Sequence, residues 1–189
     1  MKRLLYLILC MSLFSCNPIG HHSDDSRDAP IVKPIAAEGI INSYIATHPK
    51  WNINDAVKAE SYKEMESEMK QSMLNGAFLD NMPFLFDQVA EYEEGGKRHY
   101  LASFQFNNKK FKAGSFIAPM SMQVLGIIDD KMKDTLAQDQ YYFLKGKFLL
   151  FRTGLTILQF DANTISEVFL PSARMKITSA VFAGKPPID

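Results

Sequence analysis

Few residues in this chain of 189 could do chemistry, and most of the usual arrangements are missing. There are two cysteines, Cys10 and Cys16, and four histidines, His21, His22, His48 and His99. A serine–histidine–carboxylate triad would have to recruit His99 or His48, with no nucleophile motif nearby. No glycine-rich phosphate loop is present. The run Asp129-Asp130-Lys131-Met132-Lys133-Asp134 has the carboxylates of a calcium loop but lacks its glycine and closing glutamate, and its lysines oppose a cation. No metal site and no cofactor are therefore expected. A hydrolase would need converging carboxylates, and Asp87, Glu91 and Glu167 are the strand-located candidates. One basic cluster stands out, Asn107-Asn108-Lys109-Lys110-Phe111-Lys112.

The elements that must carry these residues follow from periodicity. Ala37, Ile40, Ile41, Tyr44 and Ile45 recur at helical spacing before Pro49. A second helix is expected from the capping residues Asn54 and Asp55 to Asn75 and Gly76, with Ala59, Tyr62, Met65, Met69 and Met73 on one stripe. Glu60, Glu64 and Glu68 fall opposite, and Glu66 precedes Lys70 at the favourable spacing. From residue 84 the period changes to two, predicting strands over 84–92, 98–106, 120–128, 141–151, 155–160 and 175–182. In the second strand Tyr100, Ala102, Phe104 and Phe106 point one way and His99, Leu101, Ser103 and Gln105 the other; in the third, Gln123 opposes Met122 and Val124. Gly146 sits in mid-strand, where a bulge or bend is expected.

Hydrophobic residues make up 47% and charged residues 22%, which argues for a folded chain rather than a disordered one. Basic and acidic residues number 21 each, so no net charge draws the chain to nucleic acid or anionic lipid. Residues 17–34 are rich in Pro, His and Asp and can bury no core; they read as a tether.

The first residues carry a resemblance. Lys2 and Arg3 precede a short apolar run that ends in Leu13-Phe14-Ser15-Cys16. The run is too short for a permanent transmembrane helix and reads as a signal-peptide core. The ending resembles the lipobox of bacterial lipoproteins, with Phe14 a departure where Ala, Ser or Thr often stands. The resemblance implies a signal peptide over 1–15, acylation of Cys16, a lipidated tether over 16–34 and a single globular α+β domain over 35–189. It also implies a cell-envelope protein held by its acyl chains, and Asn17 after the cysteine favours the outer membrane. Cleavage would remove Lys2, Arg3 and Cys10, leaving a slightly acidic chain without a free thiol.

The strands over 84–92, 98–106, 120–128, 141–151 and 155–160 resemble an OB-like barrel, with the polar insert 129–140 where that family often places a helix. The fold expected is α+β, with N-terminal helices over 35–76 packed on a small antiparallel barrel. An open antiparallel sheet or a lipocalin-like barrel is the alternative. The resemblance places a ligand face on the outward side of the second and third strands, with His99, Ser103, Gln105 and Gln123 on it and Lys109 and Lys110 as a wall for an anionic or polar ligand. The outward set lacks the aromatics that stack nucleic-acid bases, so a nucleic-acid partner is disfavoured. The function expected is a non-enzymatic binding module whose partner is an envelope protein, a peptide or a glycan. An envelope hydrolase acting on peptidoglycan or glycans, or a structural subunit of an outer-membrane complex, is the alternative.

Overall fold

The computed structural model describes residues 35–108, 118–152, 154–161 and 164–184. The expected signal peptide, Cys16, the expected tether and the lysines 109 and 110 lie outside the described residues.

Helix α1 spans Ala36–Thr47 and buries Ala37, Ile41 and Tyr44. Helix α2 spans Asp55–Leu74, and the Asn54 side chain caps it by accepting the Val57 N–H at 2.9 Å. Its buried stripe is Ser61, Met65, Met69 and Met73. Ser61 belongs there because its hydroxyl donates to the Trp51 carbonyl at 2.9 Å, so the polar atom is satisfied inside. Ala59, expected on this stripe, is exposed instead.

Seven strands follow: β1 (Pro83–Glu94), β2 (Lys97–Asn107), β3 (Met120–Ile128), β4 (Tyr141–Phe151), β5 (Thr156–Asp161), β6 (Thr164–Phe169) and β7 (Ala173–Gly184). A short helix α3 (Asp130–Thr135) joins β3 to β4, and the Asp129 carboxylate caps it by accepting the Met132 N–H at 2.8 Å. The acidic run 129–134 is thus a helix start.

The strand order is β2-β1-β4-β7-β3-β6-β5, with an additional β2–β3 pairing. That extra ladder closes β1, β2, β3, β7 and β4 into a five-stranded barrel, and the β5–β6 hairpin extends from β3. The domain is α+β with a small closed barrel. The barrel is mixed rather than all antiparallel: Val124, Leu125, Gly126 and Ile127 pair in parallel with Ala173, Arg174, Met175 and Lys176. A parallel partner arrives through a long crossover, so no local turn announces it.

Strand parity explains the interior. Tyr100, Ala102, Phe104 and Phe106 are buried, as are Met120, Met122, Val124 and Ile128. Across the β1–β2 ladder, Phe86 pairs with Phe104 and their rings lie 5.5 Å apart. Two glycines let β7 enter between its neighbours. A Cβ on Gly126 of β3 would stand 2.8 Å from Ile177 Cγ1, and one on Gly146 of β4 would stand 2.9 Å from Ile177 Cα. Register shifts at Lys145/Gly146 and Phe148/Leu150 bend β4 around this junction.

Strand β5 ends the sheet order, so among the described residues its outer edge has no neighbouring strand. Two side chains one helical turn apart on α2 meet its polar groups. The Tyr62 hydroxyl donates to the Ile157 carbonyl, and the Glu66 carboxylate accepts the Leu155 N–H at 3.3 Å. Glu66 is also paired with Lys70, whose ammonium lies 5.9 Å from the Phe151 ring centroid. An edge left bare would invite pairing with another chain.

Candidate functional site

The outward faces of β2 and β3 are set by the register between them. Asn107 pairs with Ser121, Gln105 with Gln123, Ser103 with Leu125 and Leu101 with Ile127. The four strand residues predicted to face outward do so. Gln105 and Gln123 are exposed, while His99 and Ser103 are half-buried.

Gln105 and Gln123 lie directly opposite one another and line a groove of about 540 Å³. One wall comes from the end of the β2–β3 ladder, with Asn107 and Ser121. The other comes from residues around β5 and β6, namely Gly154, Thr156, Phe169 and Ser172. Phe169 is 42% exposed, an aromatic surface beside the amides. β6 reaches β3 through parallel pairing of Met120 with Val168 and Ser121 with Phe169, reinforced by the Leu170 N–H donating to the Ser121 carbonyl at 2.8 Å. Among the described residues, no ionisable side chain lines this groove. What it offers a ligand is hydrogen bonding from amides and hydroxyls over an apolar floor.

His99 belongs elsewhere. It stacks on Tyr92 with ring centroids 5.3 Å apart and lines a second cleft of about 650 Å³ with Arg98, Tyr100, Asp129, Asp130 and Lys176. This cleft is charged. Arg98 Nε lies 2.8 Å from Glu91 Oε1, and the Lys133 ammonium sits 4.4 Å from the centre of the Tyr100 ring. The Arg98 guanidinium is held above its ordinary pKa by the Tyr100 side chain first and the Glu91 charge second. Ser103 lines neither cavity. The candidate set thus splits, with two residues in the groove, one in the cleft, one between them and two lysines outside the described residues.

The three carboxylates considered for hydrolysis occupy different places. Asp87 sits at the β1 bulge between Phe86 and Gln88, and Glu91, farther along β1, is engaged by Arg98 of β2. Four residues of strand separate those two by about 13 Å. Glu167 pairs across from Leu158 in the β5–β6 hairpin, a unit that meets the barrel only at β3. Among the described residues, no group of three or more His, Cys, Asp or Glu is placed to hold a metal ion. No helix among them is long and apolar enough to cross a membrane.

Two features escaped the sequence. Thr164–Phe169 was not expected as a strand because Val168 and Phe169 break the alternation, one buried and the other exposed. That strand brings Phe169 to the groove. The other is a hollow of about 430 Å³ between the helices, lined by Tyr44, His48, Trp51 and Val57 with Glu60 and Glu64. There the Tyr44 hydroxyl donates to Glu64, and burial first, then this carboxylate, raises the phenol's pKa.

No family model, curated protein or solved structure matches this chain.

Proposed function

We propose that this chain is a lipid-anchored protein of the bacterial cell envelope whose OB-like barrel binds a neutral, hydroxyl-rich ligand, a glycan, in the groove at Gln105 and Gln123. The observation that carries this reading is the lining of the groove, which among the described residues is hydrogen-bonding and uncharged over an apolar floor. Sugars present hydroxyls that pair with amides and hydroxyls, and an apolar face that suits an exposed aromatic such as Phe169. An anionic ligand finds no cation among these residues.

Several features support the OB-like assignment. The barrel has five strands, a short helix stands between its third and fourth strands, and the groove touches the outward side of strands two and three. The helices would sit against the barrel through the buried methionines of α2 and Lys70 over the Phe151 ring of β4, while Tyr62 and Glu66 hold the start of the β5–β6 hairpin. The anchor rests on the lipobox-like Leu13-Phe14-Ser15-Cys16, and the outer membrane on Asn17.

The test is an array of neutral and acidic glycans probed with the full chain carrying Cys16→Ser, so that no acyl chain interferes. Binding to a neutral glycan is expected. The Gln105→Ala/Gln123→Ala pair should weaken it at least about tenfold, the loss of one to two hydrogen bonds, with an unchanged melting temperature. Binding confined to acidic glycans, or unaffected by the double substitution, would overturn the reading.

A further inference from the structure

The chain has no net charge, yet several of its basic residues share one face of the barrel. Glu60, Glu64 and Glu68 are exposed on α2. On the barrel, the register places a basic and apolar surface along β3, β7 and β4. Leu125, Arg174 and Leu150 form one outward row, and Ile127, Lys176 and Lys147 form the next. Lys147 stands directly opposite Lys176, an arrangement of like charges that destabilises a sheet unless something else compensates it. Neither lysine, nor Lys145 beside them, forms an ion pair with a described residue. The Arg174 Nε is buried and has no hydrogen-bond partner among the described residues. Leu149 and Leu150, at the second β4 bulge, are 50% and 52% exposed beside this cluster.

From this juxtaposition we infer that the outward face of β3, β7 and β4 docks on an anionic membrane surface, with Lys147, Lys176 and Arg174 against lipid phosphates and Leu149 and Leu150 entering the interfacial region. Cations without an ion pair among the described residues, beside exposed leucines, match a phosphate layer over an apolar one, which a soluble anion does not offer. Lys176 also lines the cleft that holds Asp129 and Asp130, and these aspartates mark where the basic surface ends. This contact would set the orientation of the domain. It is independent of acylation, and of the groove at Gln105 and Gln123.

The experiment uses the full chain with Cys16→Ser and vesicles of phosphatidylglycerol mixed with phosphatidylcholine, against vesicles of phosphatidylcholine alone. Sedimentation with the anionic vesicles is expected, falling steeply with salt and absent from the neutral ones. Lys147→Gln/Lys176→Gln should lower partition about thirtyfold, since each basic residue near an anionic surface contributes about fivefold. Leu149→Ser/Leu150→Ser should weaken it with the salt dependence retained. Circular dichroism of every variant checks that the fold persists, and the glutamines avoid forcing acidic groups into the sheet. Equal binding to both vesicle types, or anionic binding untouched by the lysine pair, would overturn the inference. So would tight binding to soluble polyphosphate that ignores the leucine pair, or a dimer that the leucine pair abolishes.

Discussion

The same two strands, β2 and β3, carry two surfaces of opposite character. Near Gln105 and Gln123 the outward surface is an uncharged groove; six residues along β2, at His99, it is a charged cleft bordering a basic face. The difference comes from the third strand. At its start β3 pairs with β6, which brings Phe169 and the β5–β6 hairpin beside the amides. Farther along β3 pairs with β7, which brings Arg174 and Lys176 beside Leu125 and Ile127. Both pairings are parallel, and both partners lie more than 40 residues on in the chain. Alternation within a strand decides which residues face outward, whereas the neighbour supplied by topology decides what chemistry that surface has.

The largest effect is expected where the β7 flank is inserted. A side chain on Gly146 meets main-chain atoms of Lys176 and Ile177, which have nowhere to move. Gly146→Val should cost about 4 kcal/mol or more, or abolish folding, and remove both surfaces together. Gly126 meets side chains alone, Phe104 at ordinary contact distance and Ile177, which can change rotamer. Gly126→Ala should therefore cost about 1–3 kcal/mol and loosen β7 while leaving the β5–β6 flank intact. Urea unfolding measures both costs. Equal penalties at the two glycines would show that β7 does not enter as described.

A smaller effect separates the flanks from the other side. Tyr62→Phe removes the hydroxyl that donates to Ile157 and should cost about 0.5–1.5 kcal/mol. Amide exchange should rise along β5 and stay unchanged along β7. Burial raises the Tyr62 phenol above its ordinary pKa near 10, outweighing the opposing effect of Lys58. A raised phenol pKa means that the neutral form is favoured by folding. Its contribution is complete below the unfolded pKa and is lost as pH rises through the folded one. Alkaline conditions should therefore loosen the β5 edge in the native chain, with a smaller response in Tyr62→Phe. An identical response in both would assign the alkaline loss to other groups.

Much of this molecule was legible in the sequence where forces are local. Asn54 announced the start of α2, and 120–128 and 141–151 were read as strands with the bounds observed for β3 and β4. The two-residue turn Gly95–Gly96, with φ of 61° and 72°, fixes the β1–β2 hairpin register and with it the outward position of Gln105. The parity of β2 was visible because Phe104 and Phe106 cannot both stay in water. What stayed hidden is non-local. Nothing near residue 174 indicates that it will pair with Leu125 on one side and Leu150 on the other. His99 and Gln105 share a face, but the length of β2 sends them to different cavities. A neutral overall charge also concealed the gathering of basic residues on β4 and β7.

The most direct measurement crosses the two surfaces. The full chain with Cys16→Ser, with Gln105→Ala/Gln123→Ala added and, separately, with Lys147→Gln/Lys176→Gln added, is titrated with the neutral glycan and with anionic vesicles. The glutamine pair should lose the glycan and keep the vesicles; the lysine pair should lose the vesicles and keep the glycan. Loss of both ligands in either variant, at an unchanged melting temperature, would contradict the division of this face into two independent surfaces.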